Sequence, residues 1–275
     1  MVKDIVVSLA HGGTHDPACD YAVSVAETLQ AHLAGIAFAY EPVIAPSAMA
    51  GISVELIDAQ REESEKAADA ALSRFEQATN RAGISVERHR FSESAAGAAA
   101  LFGRTARMFD LVVVGQTNSE NNAYEDLIIE SALFDSGRPV IVVPYIQKEP
   151  LKLGRVVLCW DGGRTAARAV ADAMPLLEQA DKVDLVSISQ RPGSEKEIPG
   201  VDVAEHIARH GVKVAVQRIV SDIDVAASIL SYAADSAADL LVMGAYGHSR
   251  LREFILGGVT RGILQSMTVP VLMSH

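Results

Sequence analysis

The sequence predicts an α/β protein built as two tandem doubly wound domains, each a parallel sheet with helices on both faces, related by pseudo-twofold symmetry. Three observations carry that expectation. The chain repeats itself: Asp110-Leu-Val-Val-Val-Gly115 matches Asp239-Leu-Leu-Val-Met-Gly244 at an offset of 129 residues, and Arg138-Pro-Val-Ile-Val-Val143 matches Val269-Pro-Val-Leu-Met-Ser274 at an offset of 131. Within each copy, short Val- and Leu-rich runs alternate with segments of helical period. The short runs are apolar on both faces, as parallel strands covered on each side must be. Right-handed crossovers then place ligand sites beyond the carboxyl ends of the strands.

In the first copy, Ile5–Leu9 reads as a strand. The segment Asp16–Leu33 reads as a helix with Ala18, Ala22, Val25, Leu29 and Leu33 along one face, and an apolar stretch runs from Leu33 to Tyr40. A long helical segment covers Val54–Ala82 and stops at Gly83, the residue type that ends helices in the left-handed conformation. Ile84–Phe91 alternates as a strand, Ala95–Met108 is an alanine-rich helix, and Leu111–Val114 and Val140–Val143 are the last two strands. The second copy repeats the order as Val156–Trp160, Ala166–Gln179, Val183–Ile188, Asp202–His210, Val212–Val220, Asp224–Ala237, Leu240–Met243, Thr260–Ser266 and Val269–Met273. Between the copies, Tyr145–Gly154 is polar, contains Pro150 and reads as a linker, which divides the chain into domains at 1–147 and 153–275.

Composition narrows the function. The 275 residues are 49 % hydrophobic and 21 % charged, with a formal net charge of −11, so general binding of a nucleic-acid backbone is excluded in the absence of a basic patch. The apolar runs fall far short of the roughly 20 residues that span a bilayer. The chain enters a strand almost at its first residue, so no targeting segment is expected and the cytoplasm is the expected location. Cys19 and Cys159 are too few for a disulfide framework and read as buried small hydrophobes. The eight histidines show no HExxH or CxxC-type spacing. His206 and His210 fall four apart on a helix, a spacing that two-ligand metal binding can use. A solvated helix face explains it as simply, and no metal site is assigned.

The chemistry concentrates in Gly244-Ala-Tyr-Gly247, followed by Gly257-Gly258-Val259-Thr260. The first pair leaves a strand and the second enters a helix, which brings bare backbone N–H groups to a helix end that carries partial positive charge. Such an end holds phosphate without lysines. Thr260 can cap that helix or donate its hydroxyl to a phosphate oxygen. Asp161 ends the first strand of the second copy, where a carboxylate can accept from a ribose hydroxyl or a base amino group, or close an Asx turn into the next helix. Trp160 reads as core or pocket wall. Tyr246 either packs the loop or walls the ligand site. His248, Arg250 and Arg252 read as solvated, although either arginine could reach a phosphate.

These residues resemble the universal stress protein family over nearly the whole chain, in a tandem arrangement. Nucleotide-binding members carry Gly-x2-Gly-x9-Gly followed by Ser or Thr after the fourth strand. Gly244, Gly247 and Gly257 fill the glycine positions, and Gly258 stands in the Ser/Thr place. The resemblance implies a Rossmann-like fold that holds an adenine nucleotide (ATP, ADP or AMP) with Mg2+ or Mn2+ at the phosphates. It also implies contacts from Asp161 to the adenine, from Trp160, Ile188 and Met243 around the base, and from Val259 and Thr260 along the phosphate segment. Gly258 keeps an N–H but lacks a hydroxyl, which is worth about 0.5–1.5 kcal/mol where the contact is made. The first copy departs further: Ala10 aligns with Asp161, Asn118 replaces the second glycine, and Glu120, Glu125 and Asp126 add repulsion. It is expected to bind no nucleotide in the same manner. The resemblance further implies that the copies pair through their last strands, and the chain could dimerise again. No general base is nominated, so at most slow ATP hydrolysis is expected; a ligand-free interaction or chaperone-like module is the alternative.

Overall fold

The computed structural model describes residues 1–42, 53–117, 123–189, 200–246 and 258–275. The chain divides into two compact units, one of residues 2–138 and one of residues 139–275 together with Met1. The first unit contains β1 (Asp4–Ser8), α1 (Pro17–Leu29), β2 (His32–Tyr40), α2 (Val54–Ala82), β3 (Val86–Glu93), α3 (Ala95–Ala106), β4 (Leu111–Gly115) and α4 (Ala123–Asp135). Its strands lie in the order β3-β2-β1-β4, and the β1–β2, β1–β4 and β2–β3 pairings are all parallel.

The second unit contains β5 (Val140–Val143), β6 (Val156–Cys159), α5 (Arg164–Leu177), β7 (Val183–Ser189), α6 (Val201–Arg209), β8 (Val214–Val220), α7 (Val225–Asp235), β9 (Leu240–Gly244), α8 (Gly258–Ser266) and β10 (Val271–Ser274). Its order is β5-β10-β9-β6-β7-β8. β10 runs parallel to β9 and antiparallel to β5, with Val271 opposite Val142 and Met273 opposite Val140. β5, the strand that closes the first repeat in sequence, therefore groups with the second unit through its ladder to β10.

The alternation of strand and helix agrees with the sequence expectation, and each unit is doubly wound α/β. The central strands are buried on both faces: Ile5, Val6 and Val7 of β1 and Val156, Val157 and Leu158 of β6 are fully inaccessible. The outer strands behave otherwise. β3 and β8 have only half-buried and exposed residues, as a strand with a single neighbour does. β3 carries Glu87, Arg88, His89 and Arg90, and α2 meets it with ion pairs from Glu76 to Arg88 and from Asp69 to Arg90.

Helix boundaries follow local chemistry. Asp16 caps α1 and Pro17 opens it, so the helix starts where Asp-Pro dictates. It ends at Leu29, four residues earlier than helical period alone suggests, because Gln30 adopts the left-handed conformation and Leu33 is taken into β2. Ser53 caps α2, and Gly83 ends it at φ +67° with its N–H on the Thr79 carbonyl. The helix α4 had no counterpart among the sequence expectations. Its apolar residues are spread around the helix, so no period marks it. Gly35 in β2 answers a packing demand: a Cβ there would lie 2.8 Å from the Phe75 ring of α2.

Candidate functional site

The strand registers fix which positions correspond. In the first unit Ile5 pairs with Leu111, four residues before Gly115; in the second Val156 pairs with Leu240, four residues before Gly244. Ala10 therefore corresponds to Asp161, and Gly115 to Gly244. Both sets sit where the sheet order reverses, between β1 and β4 or between β6 and β9, the crevice in which open α/β sheets bind ligands.

In the second unit this crevice is bounded by two helix N-termini. α5 starts after Gly163, which offers no side-chain cap, and its first turn has no acidic residue. α8 starts at Gly258, again with no acid in its first turn. Both ends thus present backbone N–H groups and partial positive charge, and Asp161 is the acidic residue nearest the start of α5. Gly258 is exposed, and a Cβ on it would meet no atom within 4 Å, so space remains on that side.

Gly244 has a different job. A Cβ there would lie 2.6 Å from the Ala166 nitrogen and from the Thr165 carbonyl carbon. The glycine lets the first turn of α5 settle onto the end of β9, and Thr165 is buried in that contact. Met243, one residue earlier, is buried and pairs with Met273.

Asp161 is exposed, and its Oδ1 accepts the Gly163 N–H at 2.7 Å. The Asx turn is therefore formed, and it fixes the approach to α5 while the carboxylate keeps a second oxygen. Trp160 is half-buried and donates its backbone N–H to the Val186 carbonyl at 2.8 Å. Ile188 is half-buried near the end of β7, and the β6–β7 register carried on from Cys159 opposite Val186 sets it level with Asp161.

Thr260 is 4 % exposed, and its Oγ1 accepts the Tyr246 N–H at 3.3 Å. The bond ties the loop's first residues to the first turn of α8. Tyr246 holds φ +55°, uncommon for a residue with a side chain, and its ring meets His275 edge-on at 6.3 Å. Val259 is half-buried beside Thr260. Gly247 and Gly257, together with His248, Arg250 and Arg252, lie outside the described residues. The structure thus gathers Trp160, Asp161, Ile188, Met243, Gly244, Tyr246, Gly258, Val259 and Thr260 at the carboxyl ends of β6, β7 and β9.

The corresponding crevice of the first unit is narrow and acidic. It narrows to a cleft lined by Ser8, His11, Asp16, Tyr40, Tyr124 and Glu125, among others. The rings of Tyr40 and Tyr124 stack at 4.4 Å, and His11 meets Tyr40 edge-on at 5.0 Å. Asp16 caps α1 with Oδ1 on the Cys19 N–H and accepts the Ala10 N–H on Oδ2 at 2.8 Å. Glu125 and Asp126 occupy the first turn of α4. Each helix end that could hold an anion therefore already carries a carboxylate. Burial raises the Asp16 carboxyl above its ordinary range and lowers the His11 imidazole. Burial also raises the Tyr40 phenol, and the nearby Glu125 charge adds to it. Asn118 and Glu120 lie outside the described residues.

The helix start at Asp16 was legible from its apolar period, but the Tyr40–Tyr124 stack joins distant parts of the chain and has no local signal. The close fit of Thr165 against Gly244 was likewise invisible in sequence.

A doubly wound α/β protein with a ligand crevice at the sheet's reversal point is the class that fold and site define. Residues 152–275 match the model of the Universal stress protein family. The chain is 26 % identical over 169 residues to the universal stress protein Slr1230 of Synechocystis, covering 60 % of this chain and 57 % of that protein. It spans little more than half of that relative's length. A universal stress protein of Archaeoglobus fulgidus DSM 4304 superposes with a TM-score of 0.74 at 15 % identity, covering 98 % of this chain and 95 % of that one. A protein of Pseudomonas aeruginosa PAO1 described as functionally unknown gives 0.63 at 15 % identity, covering 99 % and 92 %. The C-terminal domain belongs to the universal stress protein family, and the chain as a whole has the fold of a universal stress protein. No helix among the described residues is long and apolar enough to cross a membrane.

Proposed function

We propose that the C-terminal unit binds an adenine nucleotide (ATP, ADP or AMP), with Mg2+ or Mn2+ accompanying the phosphates, and that the protein acts as a cytoplasmic stress-response regulator that signals by occupancy. The observation that carries this reading is the contrast between helix ends. α5 and α8 face the crevice without an acidic residue in their first turns, with Asp161 two residues before the α5 cap, whereas Asp16 caps α1 and Glu125 and Asp126 occupy the first turn of α4. An anion is favoured at the first pair and disfavoured at the second. The free oxygen of Asp161 suits an adenine amino group or a ribose hydroxyl, and Trp160 and Ile188 supply apolar walls. Bound nucleotide would order the segment from Gly244 to Gly258 and alter a surface that a partner reads. The ladder of β5 on β10 supports pairing of the two repeats through their last strands.

Calorimetric titration of ATP and AMP into the wild type, Gly247→Val and Gly258→Asp tests the reading. Gly258→Asp places a carboxylate in the first turn of α8, as in α4, at a position with room for a side chain. Both variants should bind at least roughly tenfold more weakly, a loss of about 1.4 kcal/mol. Equal affinity in all three proteins would refute the site.

One specific observation favours a ligand-free interaction module. Asp161 already serves a turn, and Gly244 already serves packing, so neither needs a ligand to account for it. Protein that releases no nucleotide on denaturation and takes up no added ATP would establish that alternative.

A further inference from the structure

The second unit has a further cluster, away from the crevice, where α5 and α6 end. His206 and His210 lie one turn apart on the last part of α6, both exposed, with ring centroids 5.1 Å apart and planes at 74°. Glu178, the residue that ends α5, places Oε1 3.7 Å from the His210 Nδ1. Two helix C-termini therefore converge here, because His210 is the cap of α6 as Glu178 is of α5. Helix C-termini carry partial negative charge and favour cations.

We propose that His206 and His210 form a two-imidazole site for a divalent transition-metal ion, with Glu178 orienting the His210 ring. The spacing fits. At a metal–nitrogen distance of about 2.0–2.1 Å and a tetrahedral angle, two imidazoles on one ion hold their centroids roughly 5 Å apart. A carboxylate beside one ring nitrogen is the usual outer partner of a metal-bound histidine, and Glu178, at 3.7 Å, needs to close by only a few tenths of an ångström to accept the His210 Nδ1–H and leave Nε2 for the metal. Among the described residues no group of three or more His, Cys, Asp or Glu side chains is arranged around one point. The protein therefore supplies two ligands, and water completes the shell. The site is open to solvent, independent of the nucleotide crevice, and suited to the borderline ions that prefer imidazole. Arg209 does not compete for it, since its guanidinium is paired with Glu205 at 3.4 Å.

The test uses the full chain, stripped with EDTA, dialysed, free of nucleotide, and titrated calorimetrically with Zn2+ and with Cu2+. The wild type should take up one equivalent of Zn2+, with Cu2+ bound more tightly. His206→Ala and His210→Ala should each weaken Zn2+ binding at least roughly tenfold. Glu178→Gln should weaken it by a smaller factor. Both histidines are exposed, so the variants should keep the wild-type circular dichroism and nucleotide affinity. A wild type that takes up no Zn2+, or a His206→Ala protein that binds it as tightly as the wild type, would overturn the proposal and leave the pair a solvated helix face.

Discussion

Tyr40 and Tyr124 stack with ring centroids 4.4 Å apart and planes 21° from parallel, narrowing the crevice of the first unit with its own side chains. One ring ends a strand and the other opens a helix, and Tyr40 lies two residues beyond Phe38, the β2 residue whose register corresponds to that of Ile188 in β7. Removing the stack does not recreate a phosphate site, because the acidic caps stay. Tyr124→Ala should lose about 0.5–1.5 kcal/mol of stability through the aromatic pair. It should leave the ATP stoichiometry unchanged in a calorimetric titration, and a second equivalent of ATP would contradict the electrostatic argument.

The two glycines of the candidate loop should respond differently to a methyl group. Gly244→Ala drives a Cβ into the backbone of Thr165 and Ala166, so it should destabilise the protein by about 1–3 kcal/mol in urea denaturation. Gly258→Ser meets open space and should leave stability nearly unchanged. If the nucleotide reading holds, its hydroxyl should tighten ATP binding by up to about 1.5 kcal/mol. A destabilised Gly258→Ser protein would mean that this helix end is more crowded than its geometry shows.

Neither thiol should behave as a reactive cysteine. Cys19 is 3 % exposed, and burial raises its thiol far above the ordinary value. Cys159 is partly exposed, but its thiol is pushed up to about 12 by burial, with the nearby Asp161 charge adding to the effect. Ellman's reagent at mildly alkaline pH should label the native protein slowly and the denatured protein quickly at both positions. Rapid labelling of native protein would show a more open strand end at β6.

Asp16 makes stability depend on pH in a defined direction. Burial raises its carboxyl above the ordinary value of 3.8, so the folded state takes up a proton more readily than the unfolded chain. That contribution is complete below the ordinary value and is lost as pH rises through the raised one. The stability of the wild type relative to Asp16→Asn should therefore increase on going from about pH 7 to about pH 4. A difference that is flat or moves the other way would show that the Cys19 and Ala10 N–H groups outweigh desolvation.

Most of the fold was legible because its signals are local. β-strands such as Leu111–Gly115 and Leu240–Gly244 are apolar on both faces, and Asp16-Pro17, Ser53 and Gly83 are helix ends written in residue type. α4 escaped because apolar residues surround it, leaving no stripe to detect. The site was partly legible. Asp161, Gly244 and Thr260 were named from position, but their present partners, Gly163, Thr165 and Tyr246, come from turn geometry and packing that spacing does not encode. The acids at the first unit's crevice were legible in the sequence, whereas the aromatic stack beside them depends on a meeting of β2 with α4.

The charges of β3 bear on how this protein behaves in a crowded solution. A hydrogen-bonding rim studded with Glu87, Arg88 and Arg90, two of them engaged by α2, offers a poor template for a foreign strand. Growth by accretion is discouraged on that flank, because an added strand would have to displace the side chains that α2 already holds there.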